Sequence, residues 1–99
     1  MSKIEFNRSN QRFIVKGELT FDTVAQLGKE GETLMKEHNE LVFDFTQISR
    51  SDSSGLVLLT GWLRAARRLN KSICFIHLPQ QLLAVAHACR LDHVLPLVS

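Results

Sequence analysis

The most informative stretch of the sequence begins with Leu41-Val42-Phe43-Asp44-Phe45 and, after a polar turn, continues with Asp52-Ser53-Ser54-Gly55-Leu56. The first five residues are mostly apolar, which is typical of a strand that is covered on both faces of a sheet. The residues from about Ser53 to Leu69 repeat apolar side chains at helical spacing. This stretch therefore predicts a buried strand that leads into the longest helix of the chain.

Toward the amino terminus, the sequence predicts a hairpin and a helix. Two strand candidates, residues 4–7 and 12–16, are separated by a polar turn, and Gly17 closes the second. Asp22-Thr23 offers an N-cap for a helix that extends to His38-Asn39. Glycines are poor helix formers, so those within this helix are expected to mark close packing against the sheet.

Toward the carboxyl terminus, residues 72–76 predict another buried strand, and Pro79 stands where proline is tolerated at a helix start. The tail 94–98 could supply a last short strand. The resulting order is ββαβαβα with this short final strand. Strands that alternate with helices predict an α/β fold, a single domain over residues 1–99 with a mostly parallel central sheet.

Composition narrows the classes of function. The chain has 99 residues, of which 44% are hydrophobic and 22% charged, so a small globular core is expected. The net charge of +2 is too small to favour a nucleic-acid partner. Cys74 and Cys89 stand in apolar surroundings, which indicates reduced, buried thiols. The longest nearly apolar run, residues 56–63, is far shorter than the roughly 20 residues of a membrane span. A cytoplasmic protein is therefore expected.

No catalytic, cofactor or metal site is predicted. The four histidines at positions 38, 77, 87 and 93 are scattered, and no metal-binding pair of cysteines or histidines occurs. Asp44 and Asp52 belong to different elements, and no histidine stands beside the serines to act as a base. The chain is therefore not expected to be an enzyme.

The turn before the long helix is the candidate functional site. Asp52 or Ser53 is a suitable N-cap, and the small residues Ser54 and Gly55 would let a ligand approach the helix end. Free amides and the helix dipole would stabilise an anion there, including a phosphate on Ser53. The turn lacks the lysine of a P-loop and the repeated glycines of a dinucleotide fingerprint. Simple helix capping and a functional role both remain open on these residues alone.

The long helix has two apolar flanks. The first consists of Leu56, Leu59, Leu63 and Ala66, and the second of Leu58, Trp62, Ala65 and Leu69. Together they are wider than the stripe that a core-facing helix needs, so one flank is expected to face the sheet. The second is either an exposed patch for a partner or is covered by the C-terminal segment. Tryptophan is enriched at interface hot spots, so Trp62 is the main candidate for a partner contact on this flank.

Two motifs resemble the signature of the STAS domain family: Asp44-Phe45-Thr46 at a strand end and Asp52-Ser53-Ser54-Gly55-Leu56 in the following turn. The resemblance covers essentially the whole chain. The family includes anti-sigma-factor antagonists and the STAS subunits of Mla-type bacterial phospholipid ABC transporters. Residues 17–24, 58–67 and 78–82 resemble the transporter subunits.

The resemblance implies a SpoIIAA-like fold and a non-catalytic cytoplasmic subunit that binds the ATPase of a phospholipid transporter. Such a subunit regulates or stabilises the ATPase, contributes to outer-membrane lipid asymmetry, and reaches the membrane only through its complex. The implied partner contacts are Asp52, Ser53, Ser54, Gly55, Leu58 and Trp62. The alternative is an anti-sigma-factor antagonist switched by phosphorylation of Ser53. A third possibility, a lipid-binding or small-ligand STAS domain, requires a sizeable apolar cavity.

Overall fold

A computed structural model describes residues 2–98 as one mixed sheet and three helices. The strands are β1 (Lys3–Asn7), β2 (Arg12–Leu19), β3 (Glu40–Asp44), β4 (Ile48–Ser51), β5 (Ser72–Ile76) and β6 (Leu97–Val98). The helices are α1 (Val24–Met35), α2 (Ser54–Arg68) and α3 (Gln80–Ala88). The order is therefore ββαββαβαβ.

The sheet has the strand order β1-β2-β3-β5-β6. β1 and β2 form an antiparallel hairpin, and every other pairing is parallel. The prediction of an α/β fold with an N-terminal hairpin, a mostly parallel sheet and a short final strand is confirmed. A helix follows each of the strands β2, β4 and β5. Each helix forms a crossover that returns the chain to the edge where the next parallel strand starts.

β4 is a strand that the sequence did not predict. It pairs in parallel with the last residues of β2, where Glu18 lies opposite Arg50 and Leu19 opposite Ser51. β2 does not end at Lys16 as expected. Gly17 has a positive φ of 97° and marks an irregularity in the register, which lets the strand bend and continue to Leu19. β4 was not predicted because its sequence is short and mostly polar and shows no apolar alternation.

The two faces of the sheet differ in burial. Phe13, Phe43 and Phe75 are fully buried on the face that carries Trp62, and the Phe43 and Trp62 ring centroids are 4.3 Å apart. On the opposite face, Val42 lies beside Cys74 and both are only half-buried. The expectation that β3 and β5 are covered on both faces is therefore wrong, because only one face of these strands is fully covered.

In the second flank of α2, Leu58, Trp62 and Ala65 are buried, whereas Leu69, the C-cap residue, is 38% exposed. Trp62 is 1% exposed, and its Nε1 donates a hydrogen bond to the Gly28 carbonyl at 3.3 Å. A Cβ added to Gly31 would lie 2.5 Å from the Trp62 ring, while one added to Gly28 would lie 3.7 Å from Leu58. These two glycines therefore pack against α2 and not against the sheet. α1, not the C-terminal segment, packs on Leu58 and Trp62.

The predictions for the ends of α1 and for the two cysteines also differ from the structure. α1 ends at Met35, one turn before His38-Asn39. Thr23 is its N-cap residue but makes no side-chain cap bond. Burial raises the pKa of the half-buried Cys74 thiol. Cys89 is exposed just after α3, so the expected burial of both thiols holds only in part.

Candidate functional site

The turn between β4 and α2 is held in place by Asp52. One carboxylate oxygen accepts the Ser54 amide at 2.8 Å, and the other accepts the Phe21 amide at 3.2 Å. The backbone amide of Asp52 donates in turn to the Leu19 carbonyl at 3.1 Å. Because Phe21 is 31 positions away in sequence, this side chain joins the start of α2 to the loop that follows β2.

The surroundings of Asp52 favour its ionised form. The hydrogen bond from the Ser54 amide is the main cause that lowers the pKa of Asp52, and the Phe21 amide and the charge of Arg50 act in the same direction. Partial desolvation opposes these effects without cancelling them. The start of α2 therefore carries a fixed negative charge on its own N-terminal side, where the helix dipole stabilises it.

This arrangement does not form the expected anion site. The Ser54 amide is taken by the Asp52 carboxylate, the Gly55 amide donates to the Asp52 carbonyl, and the Leu56 amide donates to the Ser53 carbonyl. The first three helical amides thus already have partners within the chain, and a carboxylate stands beside them. An external anion would meet a negative charge here instead of free donors.

The six predicted contact residues fall into two groups. Ser53 is exposed, whereas Asp52 and Ser54 are partly exposed, and these three lie together at the start of α2. Gly55, Leu58 and Trp62 are buried, so they are not exposed beside the other three, and their contact with a partner stays a prediction. A Cβ on Gly55 would lie 2.9 Å from the Leu82 side chain, which shows that this glycine admits α3 and not an outside ligand.

Two exposed apolar side chains at the same end of the molecule were missed by sequence reasoning. Phe21 is 78% exposed, and its backbone is fixed by Asp52; Val57 is 68% exposed and follows Ser53 by one helical turn. Phe21, Ser53 and Val57 are here called the helix-start surface. Val57 could have been found from its spacing to Ser53, but Phe21 had no sequence signal that links it to α2.

The loop that presents Phe21 is held by its own hydrogen bonds. The Thr23 hydroxyl accepts the Thr20 amide at 3.0 Å and donates to the Glu18 carbonyl at 2.8 Å. The amides of Thr23 and Val24 both donate to the Thr20 carbonyl. This tight turn explains why Thr23 does not cap α1, since its hydroxyl is already used in the loop.

Asp44, the first part of the motif pair, has a structural role. It is 7% exposed and accepts the Thr46 amide at 2.9 Å and the Thr46 hydroxyl, while Arg12 lies 3.7 Å from its second oxygen. These contacts close β3 and start the turn toward β4. Within residues 2–98, no three metal-ligating side chains are grouped so as to hold a metal ion, and no helix is long and apolar enough to cross a bilayer.

Comparison with known proteins identifies the family. The family model described as "Mlab, STAS domain" matches residues 2–99, and the chain therefore belongs to the STAS domain family. No curated protein sequence matches the chain.

Solved structures show the same fold at low sequence identity. An anti-sigma factor antagonist from Thermotoga maritima has a TM-score of 0.77 and 14% identity, over 100% of this chain and 86% of that one. The antagonist SpoIIAA in its unphosphorylated form has a TM-score of 0.71 and 14% identity, over 100% and 89%. Bacillus SpoIIAA in its phosphorylated form has a TM-score of 0.68 and 17% identity, over 100% and 92%. The predicted SpoIIAA-like fold is thus confirmed.

Proposed function

We propose that this STAS domain is the non-catalytic subunit of an Mla-type phospholipid ABC transporter and binds the transporter's ATPase through the helix-start surface. The observation that carries the proposal is the exposed Phe21, which is fixed by Asp52 beside the exposed Ser53. The description of the matching family model supports the choice of the transporter among STAS proteins.

The geometry suits a protein partner. A large exposed aromatic side chain is unusual on a free surface, and aromatic residues are enriched in interface cores. The Phe21 backbone is already held by Asp52 and its loop by Thr23, so binding orders few additional groups. Preorganisation of this kind raises affinity because less conformational entropy is lost on association.

In this role the domain acts by binding one ATPase conformation or its dimer more tightly than the others, which shifts the population toward that state. It does not hydrolyse ATP. It lies in the cytoplasm, meets the membrane only through the complex, and contributes to outer-membrane lipid asymmetry through the transporter that it supports.

Co-purification with the cognate ATPase subunit tests this proposal. Phe21→Ala and Ser53→Arg each change the helix-start surface without touching the core, and both are expected to abolish co-purification. Ser9→Arg introduces the same group in the exposed hairpin turn and is the matched control. The proposal is wrong if the wild-type chain does not bind the ATPase, or if both surface variants bind as well as the control.

A second candidate function is a phosphorylation switch at Ser53, as in an anti-sigma-factor antagonist. Ser53 is exposed and its side chain makes no cap bond, so its hydroxyl is accessible. A phosphate adds about −1.5 to −2 charges beside the Asp52 carboxylate and would repel an acidic partner surface. Incubation with the cognate serine kinase should then add one phosphate, by intact mass, that maps to Ser53 and is absent from Ser53→Ala.

A further inference from the structure

An open apolar groove runs between α1 and α2, next to the helix-start surface. It has a volume of about 310 Å³, and its lining includes Val24, Gly28, Lys29, Glu32, Val57 and Gly61. A Cβ added to Gly61 would meet nothing within 4 Å, so the groove is open to solvent on this side. Val57 belongs to both features, which makes the groove continuous with the helix-start surface.

The groove changes from apolar to cationic along its length. Gly28 lies beside Leu58, and Gly31 lies beside Trp62. The helices α1 and α2 therefore run in the same direction, and the two walls of the groove are parallel. Val24 and Val57 line the amino-terminal half. Lys29 and Glu32 line the wall further along, and the Glu32 carboxylate lies 3.4 Å from Arg68.

The cations at that far end exceed the carboxylates. Arg64 is exposed one turn after Gly61 on the same helix, near Arg68. Across residues 2–98, neither Lys29 nor Arg64 has an ion-pair partner within 4.0 Å, and Glu32 is the one acidic residue in the groove lining. The far end of the groove is therefore complementary to a negatively charged ligand segment.

We propose that this groove receives an amphipathic helix of the partner ATPase, with apolar side chains between Val24 and Val57 and acidic side chains facing Lys29 and Arg64. This inference rests on the proposed function and extends the interface beyond the helix-start surface. A helix fits because parallel helical walls form a straight concave track that takes side chains at spacings of three and four residues.

The shape of the site favours a protein helix over a lipid surface. Anionic lipid would meet a similar mixture of apolar and cationic groups, but a peripheral membrane contact needs apolar groups that protrude into the bilayer. Here the apolar floor is formed by Gly28, Leu58 and Trp62, which are half-buried or buried. A partner must insert its side chains into the groove to reach them.

Filling the groove is the first test. Gly61→Leu places a side chain in open space, and leucine is a better helix former than glycine, so the variant is expected to fold. The proposal predicts at least about a tenfold loss of affinity for the ATPase, which is the scale of one buried interface contact. Ala84→Leu adds the same side chain at an exposed position of α3 and should leave binding unchanged.

Charge reversal tests the far end. Lys29→Glu combined with Arg64→Glu should weaken ATPase binding by about tenfold, while Arg8→Glu in the distant hairpin turn should not. The loss should shrink when salt is raised from about 50 mM to about 500 mM, because salt screens exposed charges. A loss that is independent of salt would contradict the charge pairing.

Photocrosslinking identifies what occupies the groove. Ala25 is exposed on α1, lines the groove, and can be replaced by p-benzoylphenylalanine in the full chain. The expected crosslink lies in a helical ATPase segment that carries acidic residues. A crosslink to a basic or non-helical segment overturns the inference. So does binding to phosphatidylglycerol vesicles that Gly61→Leu weakens while ATPase binding is unchanged.

The two proposals can fail separately. If Ser53→Arg abolishes ATPase binding while Gly61→Leu and the charge-reversed variant bind normally, the interface stops at the helix-start surface and the groove inference is wrong. If the wild-type chain does not bind the ATPase at all, both proposals are wrong. Trp62, the single tryptophan of the chain, lies in the groove lining and should report its occupation by a change in fluorescence.

Discussion

Two glycines on neighbouring helices occupy opposite environments. A Cβ on Gly31 of α1 would overlap the Trp62 ring at 2.5 Å, whereas a Cβ on Gly61 of α2 would meet nothing within 4 Å. Gly31 belongs to the closed inner contact between the helices, and Gly61 to the open groove beside it. The same residue type thus brings two helices close together at one position and leaves a groove open at the other.

The contrast extends along the whole of α2. Its inner residues, including Leu58 and Trp62, are fixed by α1 and the sheet, while Ser53, Val57 and Gly61 are exposed on the outer side. Changes on the inner side should therefore alter the free energy of unfolding. Changes on the outer side should mainly alter binding.

Removal of the indole of Trp62 should have the largest effect. The ring is buried between Gly31 and the aromatic side chain of Phe43, so Trp62→Ala should lower the free energy of unfolding by about 3–5 kcal/mol. Urea denaturation followed by far-UV circular dichroism measures this value. Val57→Ala, which truncates an exposed residue of the same helix, is the control and should change stability little.

Gly31→Ala should be the next most destabilising. The added methyl group cannot be accommodated unless the Trp62 ring or α1 shifts, which should cost about 1–3 kcal/mol despite the better helix propensity of alanine. The same denaturation experiment applies. A Gly31→Ala variant as stable as the wild type would show that the inner contact is looser than the geometry indicates.

Gly61→Ala should act in the opposite direction. The methyl group enters open space, and the smaller entropy cost of alanine in a helix should raise the free energy of unfolding by up to about 1 kcal/mol. The change in the free energy of unfolding should therefore have opposite signs in Gly31→Ala and Gly61→Ala. Measuring both variants side by side is the clearest test of the difference between the two positions. Destabilisation by Gly61→Ala would place this position inside a packed contact.

The smallest effect concerns the charge at the start of α2. The folded-state pKa of Asp52 lies below its ordinary value of 3.8, so its contribution is present above that pH and is lost as the pH falls through the folded value. Asp52→Asn keeps an acceptor for the Ser54 amide but removes the charge. Its unfolding free energy should therefore fall less than that of the wild type between about pH 5 and pH 2. Trp62→Ala should retain the wild-type pH dependence.

Local patterns predicted most of the elements. The apolar run of β3, the polar turn between β1 and β2, and the helical spacing in α2 depend on near neighbours, so their types and approximate bounds followed from sequence. β4 did not, because its short, mostly polar sequence becomes a strand only through pairing with the end of β2. The end of β2 was not predicted either, because a glycine commonly closes a strand, whereas Gly17 bends this one and lets it continue to Leu19.

Part of the candidate site could also be predicted. The motif Asp52-Ser53-Ser54-Gly55-Leu56 predicted a capped helix start, and the Asp52 carboxylate does accept the first helical amide. The burial of Gly55, Leu58 and Trp62 was not predictable, because helical spacing gives the width of an apolar sector but not what covers it. The exposed Phe21 was missed because a single aromatic residue in a loop has no periodic pattern.

By itself, the sequence determined the order of most elements, the single-domain α/β class and the motif at the start of α2, since each depends on residues that are close along the chain. The tertiary structure decided which side of α2 remains open. That choice depends on α1, whose Gly28 and Gly31 meet Leu58 and Trp62 about 30 positions further along. It also brought the Phe21 amide to Asp52 across 31 positions. Contacts of this length arise from packing, which no local pattern encodes.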